Sequence, residues 1–239
     1  MTKKQTVIYQ TRLHLVLTIL LITIPFVFLL FFAWIANIPT AKLFSAVFIS
    51  FVRLLAAYTI AVVLAWMLAV GFYQGKRAAI ALPIFDVLQS FPTFAILPLA
   101  AYIWGPSNIT VIFFLIITVI WPILFSIISS LKLAKKDWEE AAQIMGLRGK
   151  TYLRNFLLPL SIPGLVTGSI IGLGEGWEAL VATEIIAGNP DGLGSFFKAH
   201  SQNVMITSLG VFGLLLLIFI INKLLWLPLL ERTHNNMEE

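Results

Sequence analysis

Long apolar runs dominate the chain, and they restrict the folds that are open to it. A helix needs about 20 mostly apolar residues to cross a hydrocarbon layer roughly 30 Å thick. Of the 239 residues, 59% are hydrophobic and 11% are charged, whereas soluble domains carry about 25% charged residues. The runs of sufficient length cover residues 13–36, 45–73, 79–104, 108–131, 161–187 and 208–230. We therefore predict an all-α, polytopic integral membrane protein with about six transmembrane helices in a single domain, residues 1–239.

The basic residues predict the orientation of these helices, because lysine and arginine accumulate in cytoplasmic segments. With a cytoplasmic N-terminus, all but three of the 16 lysines and arginines fall in cytoplasmic segments. The exceptions are Lys42, Arg53 and Lys198. The first run is longer than the roughly 7–15 apolar residues of a secretory signal, so we expect it to be retained. The net charge of +5 then reflects topology. We predict a multi-pass protein of the cytoplasmic (inner) membrane, surrounded by lipid, with both termini in the cytoplasm and no nucleic-acid partner.

Catalytic and metal-binding patterns are missing from the sequence. It has no cysteine, and its three histidines are too scattered for a metal-ligand spacing. Residues 149–151 match the end of a nucleotide-binding P-loop, but Ile144 stands where that motif requires a glycine. We therefore predict a non-catalytic chain that binds no metal and no cofactor of its own.

One charged segment, residues 132–160, interrupts the apolar sequence on the cytoplasmic side. Residues 139–143 favour a helix, and Gly146 provides a natural stop for it. A second short helical pattern begins near Tyr152 and runs to Pro159, where the chain re-enters the bilayer. The segment is therefore predicted to form a helix–turn–helix in the cytoplasm. By itself, the pattern is equally compatible with an interfacial helix and with an element that docks a partner.

The spacing within this segment resembles the EAA loop of binding-protein-dependent ABC importer permeases. The resemblance rests on Glu140-Ala141-Ala142, on Gly146 and on Leu158-Pro159, while Phe156 departs from the aliphatic residue usual in the family. In that family the loop carries a coupling helix that sits in a groove of a separate ATPase subunit. The resemblance implies an ATPase-coupling role for Glu139, Glu140, Ala141, Ala142, Gly146, Leu158 and Pro159.

The same resemblance, which covers about residues 45–210, implies the partners of the chain. They are two ABC ATPase subunits that bind ATP and Mg, a second permease copy or similar subunit, and an extracytoplasmic substrate-binding protein. The chain would form half of the translocation pathway. ATP binding would close the ATPase pair and switch the permease from inward-open to outward-open.

Polar residues within the third run suggest a pathway through the membrane. Asp86, Gln89 and Ser90 lie on roughly one face of a segment that also contains three prolines. A membrane-embedded acid usually faces the bundle interior or a watery path. Alternatively, Asp86 lies near the cytoplasmic end beside Arg77. The segment is similar to the nitrate/sulfonate/taurine branch of these permeases.

The fifth run contains small residues and acids. Gly164, Gly168 and Gly172 recur every four residues, a spacing that lets membrane helices pack closely, either within the chain or between two permease copies. Three acids follow: Glu175, Glu178 and Glu184. We predict that Glu178 and Glu184, together with Asp86, Gln89 and Ser90, belong to the pathway or its gate.

The acids bear on the choice of substrate. Carboxylates would repel an anion unless they were protonated or paired, for instance with Arg53. Structural or gating hydrogen bonds are therefore favoured over direct ligation of the solute. The branch implies a small anion or other small polar solute, and a cationic or zwitterionic solute remains open.

Two other classes of protein compete with the permease hypothesis. A stand-alone secondary transporter or channel would use the intramembrane carboxylates, but it leaves residues 139–159 unexplained. An intramembrane enzyme is not supported, because the sequence has no serine–histidine pair at a plausible depth in the membrane.

Overall fold

The described part of the chain consists of helices joined by short turns. The computed structural model describes residues 23–25, 27–134, 136–226 and 228–229, and no strand occurs among them. The first part of the predicted first span, up to residue 22, lies outside these residues, and the rest of it forms α1 (Thr23–Ile35, residue 26 excepted). The other helices are α2 (Thr40–Phe72), α3 (Gly75–Gln89), α4 (Thr93–Trp104), α5 (Asn108–Lys132), α6 (Lys136–Ile144), α7 (Gly149–Tyr152), α8 (Leu158–Ala187), α9 (Leu193–Ala199) and α10 (Val204–Ile221). Turns of π-helix, Leu153–Leu157 and Asn222–Trp226, follow α7 and α10. The all-α prediction is confirmed.

Four helical segments of the described part are long and apolar enough to cross a membrane. They are Thr40–Phe72, Asn108–Lys132, Gly149–Ala187 and Val204–Leu224. They overlap the predicted runs 45–73, 108–131, 161–187 and 208–230, and the third observed segment begins twelve residues before the predicted run. A bent pair, α3 and α4, counts as a fifth span if the two halves are taken together. The polytopic organisation therefore agrees with the prediction.

The third predicted run, 79–104, is broken where a single span was expected. The axes of α3 and α4 differ in direction by 74° across Ser90, Phe91 and Pro92. Pro92 lacks an N–H and disfavours helical backbone at the preceding residue, so the helix ends there. Since the 15 residues of α3 rise about 22 Å, the break lies well inside the bilayer if α3 starts at one surface.

The charged segment also differs from the prediction in one respect. Gly146 adopts a left-handed conformation (φ +73°) just after α6, as expected of a helix stop. The second helix, however, is not separate, because Gly149–Ala187 forms one 39-residue helix. Its π-helical turn lets the Leu158 N–H donate to the Leu153 carbonyl. Pro159 falls in the first turn of α8, where its missing N–H is tolerated. The expected helix–turn–helix is therefore one short helix followed by a long one.

Helix α5 lies between two stripes of small residues. A Cβ built on Gly168 would lie 2.6 Å from the Ile123 Cα, and one on Gly172 would lie 3.1 Å from the Val119 carbonyl oxygen. The third glycine, Gly164, approaches the Ser126 carbonyl in the same way. On the α2 side, four alanines at four-residue spacing are fully buried: Ala57, Ala61, Ala65 and Ala69. The glycine stripe is thus occupied by α5 of the same chain, and the alanine stripe is a feature that sequence analysis missed.

Candidate functional site

A buried polar cluster joins α2 to α8 at the end where α8 finishes. Glu184 is fully buried, and its carboxylate accepts hydrogen bonds from Arg53 Nη1, from Ser50 Oγ at 2.9 Å and from the Gly194 N–H at 2.8 Å. Arg53 is 6% exposed. We call Ser50, Arg53 and Glu184 the α2–α8 lock. The charge of Arg53 compensates the carboxylate, which is one of the pairings that the sequence suggests.

The lock also holds neighbouring backbone. Arg53 donates through Nη1 to the Asp191 carbonyl at 3.0 Å and through Nε to Asn108 Oδ1, at the start of α5, at 2.8 Å. The Leu193 N–H donates to Ser50 Oγ at 2.8 Å. The lock therefore ties α2, α5, α8 and the turn before α9 to one another.

The turn at residues 192–194 requires glycine because of this cluster. Gly192 has a φ of +102°, and a Cβ there would lie 2.5 Å from Glu184 Oε1. A Cβ on Gly194 would overlap the Glu184 side chain. The two glycines let the backbone approach the carboxylate closely enough to donate to it.

A second feature is a cleft of about 900 Å³ where the α3–α4 break faces α5 and α8. Its polar lining consists of Gln89, Ser90, Thr93, Thr118, Ser126 and Glu175. The structure therefore brings the predicted pathway residues Gln89 and Ser90 together with Glu175, an acid that we had not placed among the pathway candidates. The only hint in the sequence is that Glu175 lies in the middle of a membrane run, where an acid is expensive.

The remaining predicted pathway residues lie elsewhere. Asp86 is exposed one turn before the break and accepts a hydrogen bond from Gln89 Nε2 at 2.7 Å. It forms no ion pair with Arg77 in the described structure. Glu178 is exposed but does not line the cleft, and Glu184 is enclosed in the lock. A pathway or gate role for these three acids stays a prediction.

Helix α6, which lies between two spans, and the residue after it expose large apolar side chains. Ile144 and Met145 are 87% and 71% exposed, and Glu140 and Ala141 are exposed as well. A Cβ built on Gly146 would meet no atom of the chain within 4 Å. Among the predicted coupling residues, Ala142 differs, because it is buried within the chain. The outward face therefore combines apolar side chains, an acid and a left-handed glycine.

Aromatic contacts attach the start of the long helix to the end of α2. Tyr73, which follows α2, is buried in an apolar cluster against which Tyr152 packs, and Gln74 Nε2 donates to the Tyr73 hydroxyl at 2.7 Å. Burial raises the pKa of Tyr73 above its ordinary value, so this hydroxyl keeps its proton. Tyr152 stacks on Phe156 with a centroid distance of 5.0 Å. Movement of the segment after α6 is thereby linked to α2.

Together, these features define a class: a polytopic helical membrane protein with a cleft among its apolar helices and an exposed amphipathic helix between two spans. Residues 61–227 match the family described as binding-protein-dependent transport system inner membrane component. The chain belongs to this family, as the resemblance of its α6 segment indicated. Members of the family are membrane subunits without catalytic activity, which confirms the prediction of a non-catalytic chain.

Individual relatives agree with the predicted branch. The nitrate import permease protein NrtB of Synechocystis sp. is 31% identical over 178 residues, which are 71% of this chain and 64% of that protein. The bicarbonate transport system permease protein CmpB of Synechococcus elongatus is 28% identical over 177 residues, 70% of this chain and 63% of the relative. The taurine transport system permease protein TauC of Escherichia coli is 31% identical over 120 residues, 50% and 43% of the two chains. The chain spans about three fifths of the length of the first two relatives.

Proposed function

We propose that this chain is the permease subunit of an ATP-driven ABC importer and forms half of its translocation pathway. The observation that carries the proposal is the exposed α6, which presents the EAA pattern between two spans of a protein of this family. Apolar residues as exposed as Ile144 and Met145 are expected where another protein covers them.

The proposed partner at α6 is an ABC ATPase, present in two copies and holding ATP and Mg. Glu139 and Glu140 supply charge at the contact, while Ala141 and Gly146 allow a close approach. Closure of the ATPase pair would move α6. The contact of Tyr152 with Tyr73 offers a route from this movement to α2, which packs on α5.

A second permease copy and an extracytoplasmic substrate-binding protein complete the proposed complex. The need for a second copy is supported by the cleft, which the described chain does not close, since Gln89, Ser90 and Phe91 remain exposed beside it. Both termini are proposed to be cytoplasmic. The exposed basic residues support this orientation: Lys76, Arg77, Lys132, Arg148, Lys150 and Arg154 lie at the proposed cytoplasmic end, and Lys42 and Lys198 at the other.

The proposed substrate is a small polar solute. The relatives are named for nitrate, bicarbonate and taurine, which are all small and polar. Nitrate and bicarbonate are inorganic anions and favour a small anion as the substrate, whereas taurine carries an ammonium group as well.

Purification of the tagged full chain from its native membranes tests the proposal. We expect an ABC ATPase to co-purify and to hydrolyse ATP. Replacement of residues 136–144 by a glycine–serine linker of equal length should remove the ATPase and leave the chain in the membrane. If no ATPase accompanies the intact chain, and vesicles take up solute on a proton gradient alone, the stand-alone transporter hypothesis replaces this one.

A further inference from the structure

We propose that the cleft between the α3–α4 break, α5 and α8 is a solute site, and that Glu175 selects solutes carrying an organic cationic group. The proposal rests on the proposed permease function and deepens it by naming a substrate class. Among the small polar solutes of the preceding section, it favours one that carries a positively charged group over the small anion for which two of the relatives are named.

The location of Glu175 is the first argument. It lies twelve residues before the end of α8, or about 18 Å along the helix, and so near the middle of the bilayer. The α3–α4 break reaches a similar depth from the other side. Discontinuous helices at mid-membrane depth are typical of transport sites. A carboxylate at this depth is retained where it faces water or a ligand.

Charge balance is the second argument. Glu184, on the same helix, is neutralised by Arg53, whereas the described structure offers Glu175 no ion pair. The cleft lining, as described, contains no lysine, arginine or histidine. Glu178, one turn away from Glu175, adds further negative charge. An anion entering the cleft would be repelled, and a cation would be attracted.

The aromatic lining is the third argument. Phe91, Phe94, Trp121 and Phe125 line the same cleft. Aromatic faces attract alkylammonium and other organic cations, and they offer nothing comparable to a bare inorganic anion. The hydroxyl groups and the amide of Gln89 then supply hydrogen bonds to a polar substituent. A carboxylate beside aromatic rings favours an organic cation, including the ammonium end of a zwitterion.

Charged thiol reagents can measure this preference without knowledge of the natural solute. Because the chain has no cysteine, Ser90→Cys places a single thiol in the cleft by a conservative change. The full chain, purified with its ATPase in detergent at low ionic strength, is labelled with cationic trimethylammonium-ethyl and with anionic sulfonatoethyl methanethiosulfonate. Ser201→Cys, exposed outside the cleft, normalises the intrinsic rates of the two reagents.

We expect the normalised ratio of cationic to anionic labelling at position 90 to exceed one, and Glu175→Gln to lower it roughly fivefold. A unit charge about 7 Å away in water changes the two rates roughly two- to threefold in opposite directions. Glu178→Gln, outside the cleft lining, should have a smaller effect. The proposal is overturned if the ratio does not respond to Glu175→Gln, if Glu178→Gln matches it, or if neither reagent reaches position 90. Labelling does not require coupling to the ATPase. If no ATPase co-purifies but the charge preference at position 90 is observed, the result contradicts the proposed function and not the solute site.

Discussion

Arg53 of α2 and Glu184 of α8 form a buried ion pair, with 2.5 Å between Nη1 and Oε1, although 131 residues separate them in the chain. Ser50 and the Gly194 N–H donate to the same carboxylate. The first half of α2 and the end of α8 are thereby held to the turn before α9. Since α8 also packs along α5, the lock is positioned to keep these helices in one arrangement.

Loss of one member of the lock should destabilise the chain. Glu184→Gln leaves the Arg53 guanidinium buried without a counter-charge, and removing one partner of a buried pair costs about 3–5 kcal/mol. We expect a clearly lower melting temperature in detergent and less monodisperse protein. Glu178→Gln, at an exposed position on the same helix, is the control and should melt like the wild type.

The double variant Arg53→Met/Glu184→Leu should recover much of the loss, because apolar replacement of a whole buried pair is often tolerated. A Glu184→Gln variant that melts normally yet transports poorly would contradict the structural role and support the gate hypothesis instead.

The α5–α8 contact should not accept a side chain at Gly168. In Gly168→Ala the new Cβ meets the Ile123 backbone, so we expect a loss of about 1–3 kcal/mol in stability and reduced yield of folded protein. Gly174→Ala is the matched control, since it lies on α8 with nothing within 4 Å. That change should be neutral or slightly stabilising. Equal melting temperatures for both variants would show that α5 and α8 are not in close contact.

Substitution of Gly146 should weaken binding of the ATPase. Gly146→Asp adds bulk and charge at an exposed left-handed position, and a loss of about 2–3 kcal/mol would lower association roughly a hundredfold. Glu140→Lys should act in the same direction by charge reversal. Co-purification of the ATPase and substrate-stimulated ATP hydrolysis are the measurements.

The matched control for Gly146 is Gly75. Both have nearly the same φ, +73° and +72°, and neither has an atom of the chain within 4 Å of a Cβ. Gly75→Asp therefore introduces the same backbone strain outside α6. If the two variants lose the ATPase equally, local strain rather than docking explains the effect.

Labelling of single cysteines should establish the topology. Ser201→Cys is expected to react with an impermeant reagent from outside the cell, and Lys150→Cys only after the membrane is opened. Both positions are exposed, whereas Asn189, in the same outer region as Ser201, is 4% exposed and would report poorly. The reverse pattern would invert the proposed orientation and place α6 on the wrong side for an ATPase.

Sequence reasoning was sufficient where the physical cause is local. The length of an apolar run decides whether a helix can span the bilayer, so the runs at 45–73 and 108–131 were predicted close to their observed positions. Gly146 was predicted as a helix stop because left-handed backbone favours glycine. The EAA pattern that indicated the family is also local, since Glu140 and Gly146 lie on one short segment.

The break in the third run was less predictable. Three prolines occur there, yet Pro83 and Pro98 lie within helices and only Pro92 accompanies a 74° bend. Whether a proline interrupts a membrane helix depends on whether neighbouring groups satisfy the carbonyl that it leaves free. Those neighbours belong to other segments of the chain.

The roles of the acids on α8 were decided by tertiary structure alone. Glu175 and Glu184 are nine residues apart, which places them on opposite faces of the helix. Nothing in that spacing says which face meets α2 and which meets the cleft. Glu184 became a buried, charge-compensated group because folding brought Arg53 to it across 131 residues, and Glu175, lacking such a partner, was left facing the cleft. The ionisation and accessibility of a carboxylate depend on the groups within a few ångströms of it, and in this protein those groups come from distant parts of the chain.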